Sequence, residues 1–177
     1  MGFNRFTLSN SKGESIVVDA SNGARLVSYQ KLIQDKLEEM ISIPGGKTYE
    51  LIENPYHPSS FLFPFQNRVR NGNYSFKGKN YQLEINESNL NNAIHGFIDR
   101  SNFTKYEIDH QSIQLTFDYQ GEKPGYPFPF QFEVKYVLEE NGELGIFIQV
   151  INTGGEPMPF SFGWHPFFYG KDFHQKI

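Results

Sequence analysis

Phe130-Gln131-Phe132-Glu133-Val134-Lys135-Tyr136-Val137-Leu138 is followed by Glu139-Glu140-Asn141-Gly142-Glu143 and then by Leu144-Gly145-Ile146-Phe147-Ile148-Gln149-Val150-Ile151. The first run alternates apolar and polar side chains with the period of two that a pleated strand requires. Asn-Gly is a pair that tolerates the left-handed backbone of a hairpin turn, and apolar residues resume beyond it. The stretch reads as an antiparallel hairpin. Ser112 to Tyr119 alternates in the same way, with Ile113, Leu115, Phe117 and Tyr119 on one face and Gln114, Thr116 and Asp118 on the other. Tyr74 to Phe76, Lys77-Gly78 and Lys79 to Leu83 make a second hairpin, and Arg5 to Leu8, Ser15 to Asp19 and Ala24 to Tyr29 read as further short strands. Leu32 to Met40 departs from this pattern. Its apolar residues at 32, 33, 37 and 40 have helical spacing, which predicts a single-turn helix or a loop between strands.

Composition points the same way. The chain has 177 residues, among them 18 Phe, 10 Tyr, 16 Gly and 10 Pro, a mix that favours many short strands over a helix bundle. The length fits one domain over 1–177, and a unit of this size buries roughly 70% of its unfolded surface. Antiparallel strands in this number predict an all-β sandwich. The absence of cysteine excludes a disulfide scaffold, a thiolate zinc site, an iron–sulfur cluster and a cysteine nucleophile. With 16 Lys and Arg against 20 Asp and Glu, the net charge of -4 weighs against nucleic-acid binding through a basic face. No run reaches the ~18 apolar residues of a membrane span. The first residues carry no apolar stretch of a secretory signal, so the expectation is a cytoplasmic protein without membrane contact. Pro55-Tyr56-His57-Pro58 and Gly121 to Pro129 are the longest turn-rich segments and the natural places for functional loops.

The usual catalytic motifs are missing: no phosphate-binding glycine loop, no His-Glu-x-x-His, no Gly-x-Ser-x-Gly. What remains is a polar set in strongly apolar surroundings. Asn67-Arg68 follows Phe61-Leu62-Phe63-Pro64-Phe65-Gln66, His95 lies in Asn92-Ala93-Ile94-His95-Gly96-Phe97, and His165 lies in Phe162-Gly163-Trp164-His165-Pro166-Phe167. Each has a purely structural reading as well: a strand-end charge, a turn residue and a core histidine. Pro166 drives His165 into an extended backbone and so fixes where its ring can go. His57, His110 and His174 sit in polar context and read as surface residues. Their spacing gives no reason to expect a metal site.

Taken in order, these segments resemble the aldose 1-epimerases, or galactose mutarotases. Asn67-Arg68-Val69-Arg70-Asn71-Gly72 is similar to that family's Asn-Arg-Ile/Val…Gly segment and is followed, as there, by a hairpin with Lys-Gly at its turn. Tyr81-Gln82-Leu83-Glu84-Ile85-Asn86 and then Ala93-Ile94-His95-Gly96 resemble Tyr-x-Leu-x-x-Asn…Leu-His-Gly. Gly125-Tyr126-Pro127 matches the family's Gly-Tyr-Pro, and Asn152, Pro157-Met158-Pro159 and Gly163-Trp164-His165-Pro166-Phe167-Phe168 match its Asn-x-x…Pro-x-Pro…Gly-x-His-Pro-Tyr-Phe.

The resemblance implies a large antiparallel β-supersandwich with the sugar in an open cleft, and no cofactor. It implies a hexose substrate of the galactose or glucose class, with Arg68 and Asn67 holding hydroxyls, His95 binding near the ring oxygen and His165 acting as general acid. Trp164 and Tyr126 are candidates for an apolar platform under a sugar face, or equally for core aromatics. Imidazole, with an ordinary pKa near 6.5, suits the proton transfer that opens the ring. Members of the family run well beyond this length. The expectation is therefore a truncated sandwich lacking the segments with a sugar-binding Asp and the catalytic Glu, hence impaired turnover. The competing readings are a non-catalytic carbohydrate-binding or regulatory module and an inert remnant. Arg70 and Arg100 would be the extra cations a hexose phosphate needs, or simply solvent-facing charges. Strands left without neighbours imply a homodimer through exposed edges.

Overall fold

A computed structural model describes residues 4–44 and 55–169. The alternating runs are strands, and they lie in two four-stranded antiparallel sheets. The first joins β1 (Arg5–Ser9), β2 (Ser15–Asp19), β3 (Arg25–Ile33) and β4 (Lys36–Glu39) in that order. Five short strands then follow: β5 (Ser60–Leu62), β6 (Arg68–Arg70), β7 (Asn73–Phe76), β8 (Lys79–Gln82) and β9 (Asn92–Ile94). A 3-10 turn, Ile98–Arg100, leads to the second sheet, β10 (Lys105–Ile108), β11 (Ser112–Tyr119), β12 (Phe130–Leu138) and β13 (Leu144–Asn152), again in chain order. The last strand, β14 (Gly163–His165), returns to pair with β5.

The period of two becomes burial. Along β12, Phe130, Phe132, Val134, Tyr136 and Leu138 are buried, while the residues between them are partly exposed. Leu138 pairs with Leu144, so the hairpin closes on residues 139–143, with Gly142 in the left-handed region at φ +77°. Leu8, Ile16, Val18 and Leu26 of the first sheet share one hydrophobic cluster with Ile113, Leu115, Val134 and Tyr136 of the second. The Tyr136 hydroxyl crosses that core and donates to the Ala24 carbonyl at 2.7 Å. Tyr136→Phe leaves this buried acceptor unpaired and is expected to cost about 1–3 kcal/mol. A urea midpoint equal to that of the native chain would show the bond to be irrelevant.

The segment from Leu32 to Met40 corrects the sequence reading. It forms neither a helix nor a loop but the end of a hairpin, the last residues of β3, a turn and then β4, with Leu32 opposite Leu37 and Ile33 opposite Lys36. Gln34 and Asp35 make the two-residue turn with φ of 48° and 61°, the doubly left-handed geometry that matches strand twist. The apolar side chains that imitated a helical face lie on an exposed ribbon, Leu37 at 47% exposure. Among the described residues there is no α-helix, and none long and apolar enough to cross a membrane.

Candidate active site

Three short pairings carry the polar residues to one place. In the first, β6 pairs with β9, Arg68 opposite Ile94. The Asn86 side chain brackets Ile94, donating to its carbonyl at 2.8 Å and accepting its N–H at 2.6 Å. Just beyond β9, His95 turns into the left-handed region at φ +64° and Asn67 does so at φ +60°. The two residues clasp each other: the His95 N–H donates to the Asn67 carbonyl at 3.0 Å, and the Asn67 N–H donates to His95 Nδ1 at 3.2 Å. In the second, β14 pairs with β5, placing His165 opposite Ser60, and the Ser59 N–H donates to the His165 carbonyl at 2.8 Å. The third contact is the parallel bridge of Phe63 to Gly96.

The result is an open cleft of about 920 Å³ whose walls include Asn67, Arg68, His95, His165, Glu87 and Phe167. The His95 and His165 rings lie edge to face with centroids 5.8 Å apart. Both are also within the cleft wall that carries Arg68, so the three side chains expected to meet one hexose do share one cleft. Trp164 and Tyr126 do not line it. Adjacent residues on a strand point to opposite faces, so Trp164 turns away from His165 into a hollow with Phe61, Ile148 and Phe168. Tyr126 is fully buried, with its hydroxyl donating to the Pro159 carbonyl at 2.8 Å, and borders a separate hollow with Leu83 and Lys123. The aromatic ring beside the cleft histidines is instead Phe167, 5.3 Å from His165 between centroids.

Hydrogen bonding fixes the chemistry of each group. Because His95 Nδ1 accepts a backbone N–H, the neutral ring carries its proton on Nε2 and is a donor. Burial, and after it the neighbouring His57 and His165, lower the His95 pKa to about 4, so the ring is neutral near pH 7. His165 Nδ1 is buried with no hydrogen-bond partner among the described residues, which leaves Nε2 as the nitrogen available for exchange. The Arg68 guanidinium is held by Glu87, Nε donating at 2.8 and 3.0 Å and Nη2 at 2.6 Å. Nη1 makes no hydrogen bond among the described residues. This carboxylate pair keeps the Glu87 carboxyl below its usual pKa, the bond from Arg68 first and that from Asn92 second.

Two residues escaped the sequence reading. Glu87 anchors Arg68, and its only sequence signal is its place directly after Asn86. His57, expected on the surface, is a cleft residue, with its ring centroid 4.8 Å from that of His95 and its Nδ1 3.1 Å from the buried Asp99 carboxylate. His110 and Arg70 are exposed, as expected. Arg100 borders the cleft and lies 3.9 Å from Asp99. His174 lies outside the described residues.

The lowered pKa of His95 has a measurable consequence. Between pH about 6.5 and about 4 the unfolded chain takes up a proton that native His95 refuses. Stability therefore falls as the pH drops through this window and levels off, for this group, below about 4. His95→Asn, which keeps a side chain tolerant of positive φ, is expected to flatten that part of the curve. Parallel urea-midpoint curves for the two proteins from pH 4 to 7 would contradict it.

The chain is thus an antiparallel all-β protein with an open, histidine-bearing cleft. The sequence pattern of the aldose 1-epimerase family matches residues 4–176, and the chain belongs to that family. It is similar to the uncharacterised Escherichia coli protein YihR, 34% identical over 111 residues, which are 63% of this chain and 36% of that protein. The galactose mutarotase-like protein of Clostridium acetobutylicum superposes with a TM-score of 0.74 at 29% identity, over 89% of this chain and 48% of the other. A galactose mutarotase related enzyme of Lactobacillus acidophilus gives 0.72 at 27% identity, over 98% and 51%. The fold is thus the galactose mutarotase-like antiparallel sandwich. The chain spans about half the length of these solved relatives.

Proposed function

We propose that the cleft binds an aldohexose of the galactose or glucose class and promotes interconversion of its anomers. The observation that carries this reading is the shared cleft of Arg68, His95 and His165, with the tautomers set as described. Ring opening requires a proton on the ring oxygen as the C1–O5 bond breaks and passage of the C1 hydroxyl proton to water in the open cleft as the aldehyde forms. His165, with Nε2 as its available nitrogen, serves as the donor to the ring oxygen. Neutral His95 donates Nε2–H to a sugar oxygen. Arg68, held in orientation by Glu87, presents Nη1 to hydroxyls. Rotation about C1–C2 and reclosure then give the other anomer. Exchange spectroscopy on equilibrated α- and β-galactose and glucose tests this: exchange cross-peaks above the buffer rate are expected, and their absence at millimolar protein would refute turnover.

One observation favours the second reading, a sugar-binding module without turnover. Among the described residues Glu87 is the carboxylate lining the cleft and Asp99 lies buried behind His57, and both are engaged with cationic partners. Binding without exchange would decide for it.

We also propose that two copies associate through β13. It is an edge of the second sheet, and Phe147 and Ile151 on it are 61% and 38% exposed. Unpaired edges with apolar side chains template pairing with another chain. Sedimentation at micromolar concentration is expected to show a dimer, and a monomer throughout the range would overturn it.

A further inference from the structure

The His57–Asp99 pair belongs neither to the pattern that the sequence motifs pick out nor to the proton transfer described above. His57 lines the cleft, packs edge to face on His95 and puts Nδ1 3.1 Å from Asp99 Oδ2. Asp99 is 1% exposed, and the same oxygen lies 3.6 Å from Arg25 Nη2 and 3.9 Å from Arg100 Nε. The Asp99 oxygen is an acceptor set among the Arg25 and Arg100 guanidinium groups, so the bond to His57 is made by a proton on Nδ1. In the neutral ring that leaves Nε2 with a lone pair. The backbone also holds the ring there: His57 has φ +47° immediately before Pro58, a conformation that costs energy in a non-glycine residue. Such a conformation persists only where the surroundings over-determine it, here the buried Asp99 and the His57 carbonyl accepting the Ser60 N–H at 3.2 Å.

We propose that His57 is a further sugar-contacting residue, fixed by Asp99 as the tautomer whose Nε2 accepts a hydrogen bond from a hydroxyl of the bound hexose. This rests on the sugar-binding reading above. The two neighbouring rings are then complementary. His95 presents a donor and His57 an acceptor side by side, which matches a sugar edge whose hydroxyls each both donate and accept. Asp99 is the positioning residue of the pair. A hydroxyl received by His57 is a point of discrimination, because a sugar lacking it leaves the imidazole lone pair unpaired in the complex.

The test is long-range 15N–1H NMR of the histidine rings in the intact chain at pH 7.5, with His57 assigned from the His57→Asn variant. Asn suits the positive φ and keeps a donor for Asp99 but has no counterpart of Nε2. The expected spectrum shows His57 with its proton on Nδ1, and galactose or glucose shifts its Nε2. In Asp99→Asn the tautomers become mixed. A proton on Nε2 in the native chain overturns the proposal. If sugar shifts His95 and His165 but leaves His57 unmoved, the assignment of His57 fails while the sugar-binding reading survives. If no histidine responds at any sugar concentration, both fail. A titration series of singly deoxygenated hexoses gives the second readout. One of them is expected to bind about tenfold more weakly than its parent to the native chain, and that preference is lost in His57→Asn. An unchanged preference in the variant overturns the proposal.

Discussion

His165→Gln is expected to slow anomer exchange by about 100- to 10,000-fold, the range over which a positioned general acid acts. Glutamine keeps a donor of similar reach but cannot release a proton to a ring oxygen and recover it. The main-chain bonds that fix β14, including the one from the Ser59 N–H to the His165 carbonyl, do not involve the side chain and survive the change. The loss therefore falls on kcat, with KM moving much less. Exchange NMR on α/β-galactose and glucose measures it directly. A variant that exchanges anomers at the native rate would remove His165 from the acid role, whatever it does to binding.

Gly96→Ala is expected to cost about 3–5 kcal/mol, combining a left-handed alanine with an overpacked contact. Gly96 has φ +69°, and a β-carbon there would stand 2.7 Å from Pro64 N and closer still to the Phe63 carbonyl. That carbonyl accepts the Phe97 N–H at 3.0 Å, so the strand holding Phe63 cannot simply retreat. Phe63 is fully buried against Phe130 and Phe132. The substitution therefore acts on the core and on the site together, since His95 is the preceding residue. Urea unfolding reads the first effect and the His95 ring signals read the second. A midpoint within about 0.5 kcal/mol of native, the range of an inconsequential surface change, would show that the close approach is not required.

The long strands could be read because nothing competes with their period. β11, β12 and β13 run for eight or nine residues, and β12 alternates throughout. The three-residue strands β5, β6, β9 and β14 are too short to show any period, yet they position the site. The hairpin of β3 and β4 was hidden because Gln34-Asp35 is not the Asn-Gly pair that usually announces such a turn. Arg68, His95 and His165 could be picked out by the residues flanking them. Trp164 could be read either as a platform or as core, and the structure turns it from the cleft because its neighbour His165 takes the other face. The loop of His57 stood out as turn-rich, but the ring's place in the cleft did not: it arises from a contact with Asp99 42 positions away and from a ring contact with His95 that the fold creates.

The central claim is that one hexose occupies the cleft of Arg68, His95 and His165. Saturation-transfer difference NMR with galactose and with glucose on the intact chain tests it most directly. The expected result is transfer from the protein to at least one of the two sugars, strongly reduced when Arg68 and His95 are both replaced. No transfer to either sugar, or transfer that survives the double replacement unchanged, would contradict it.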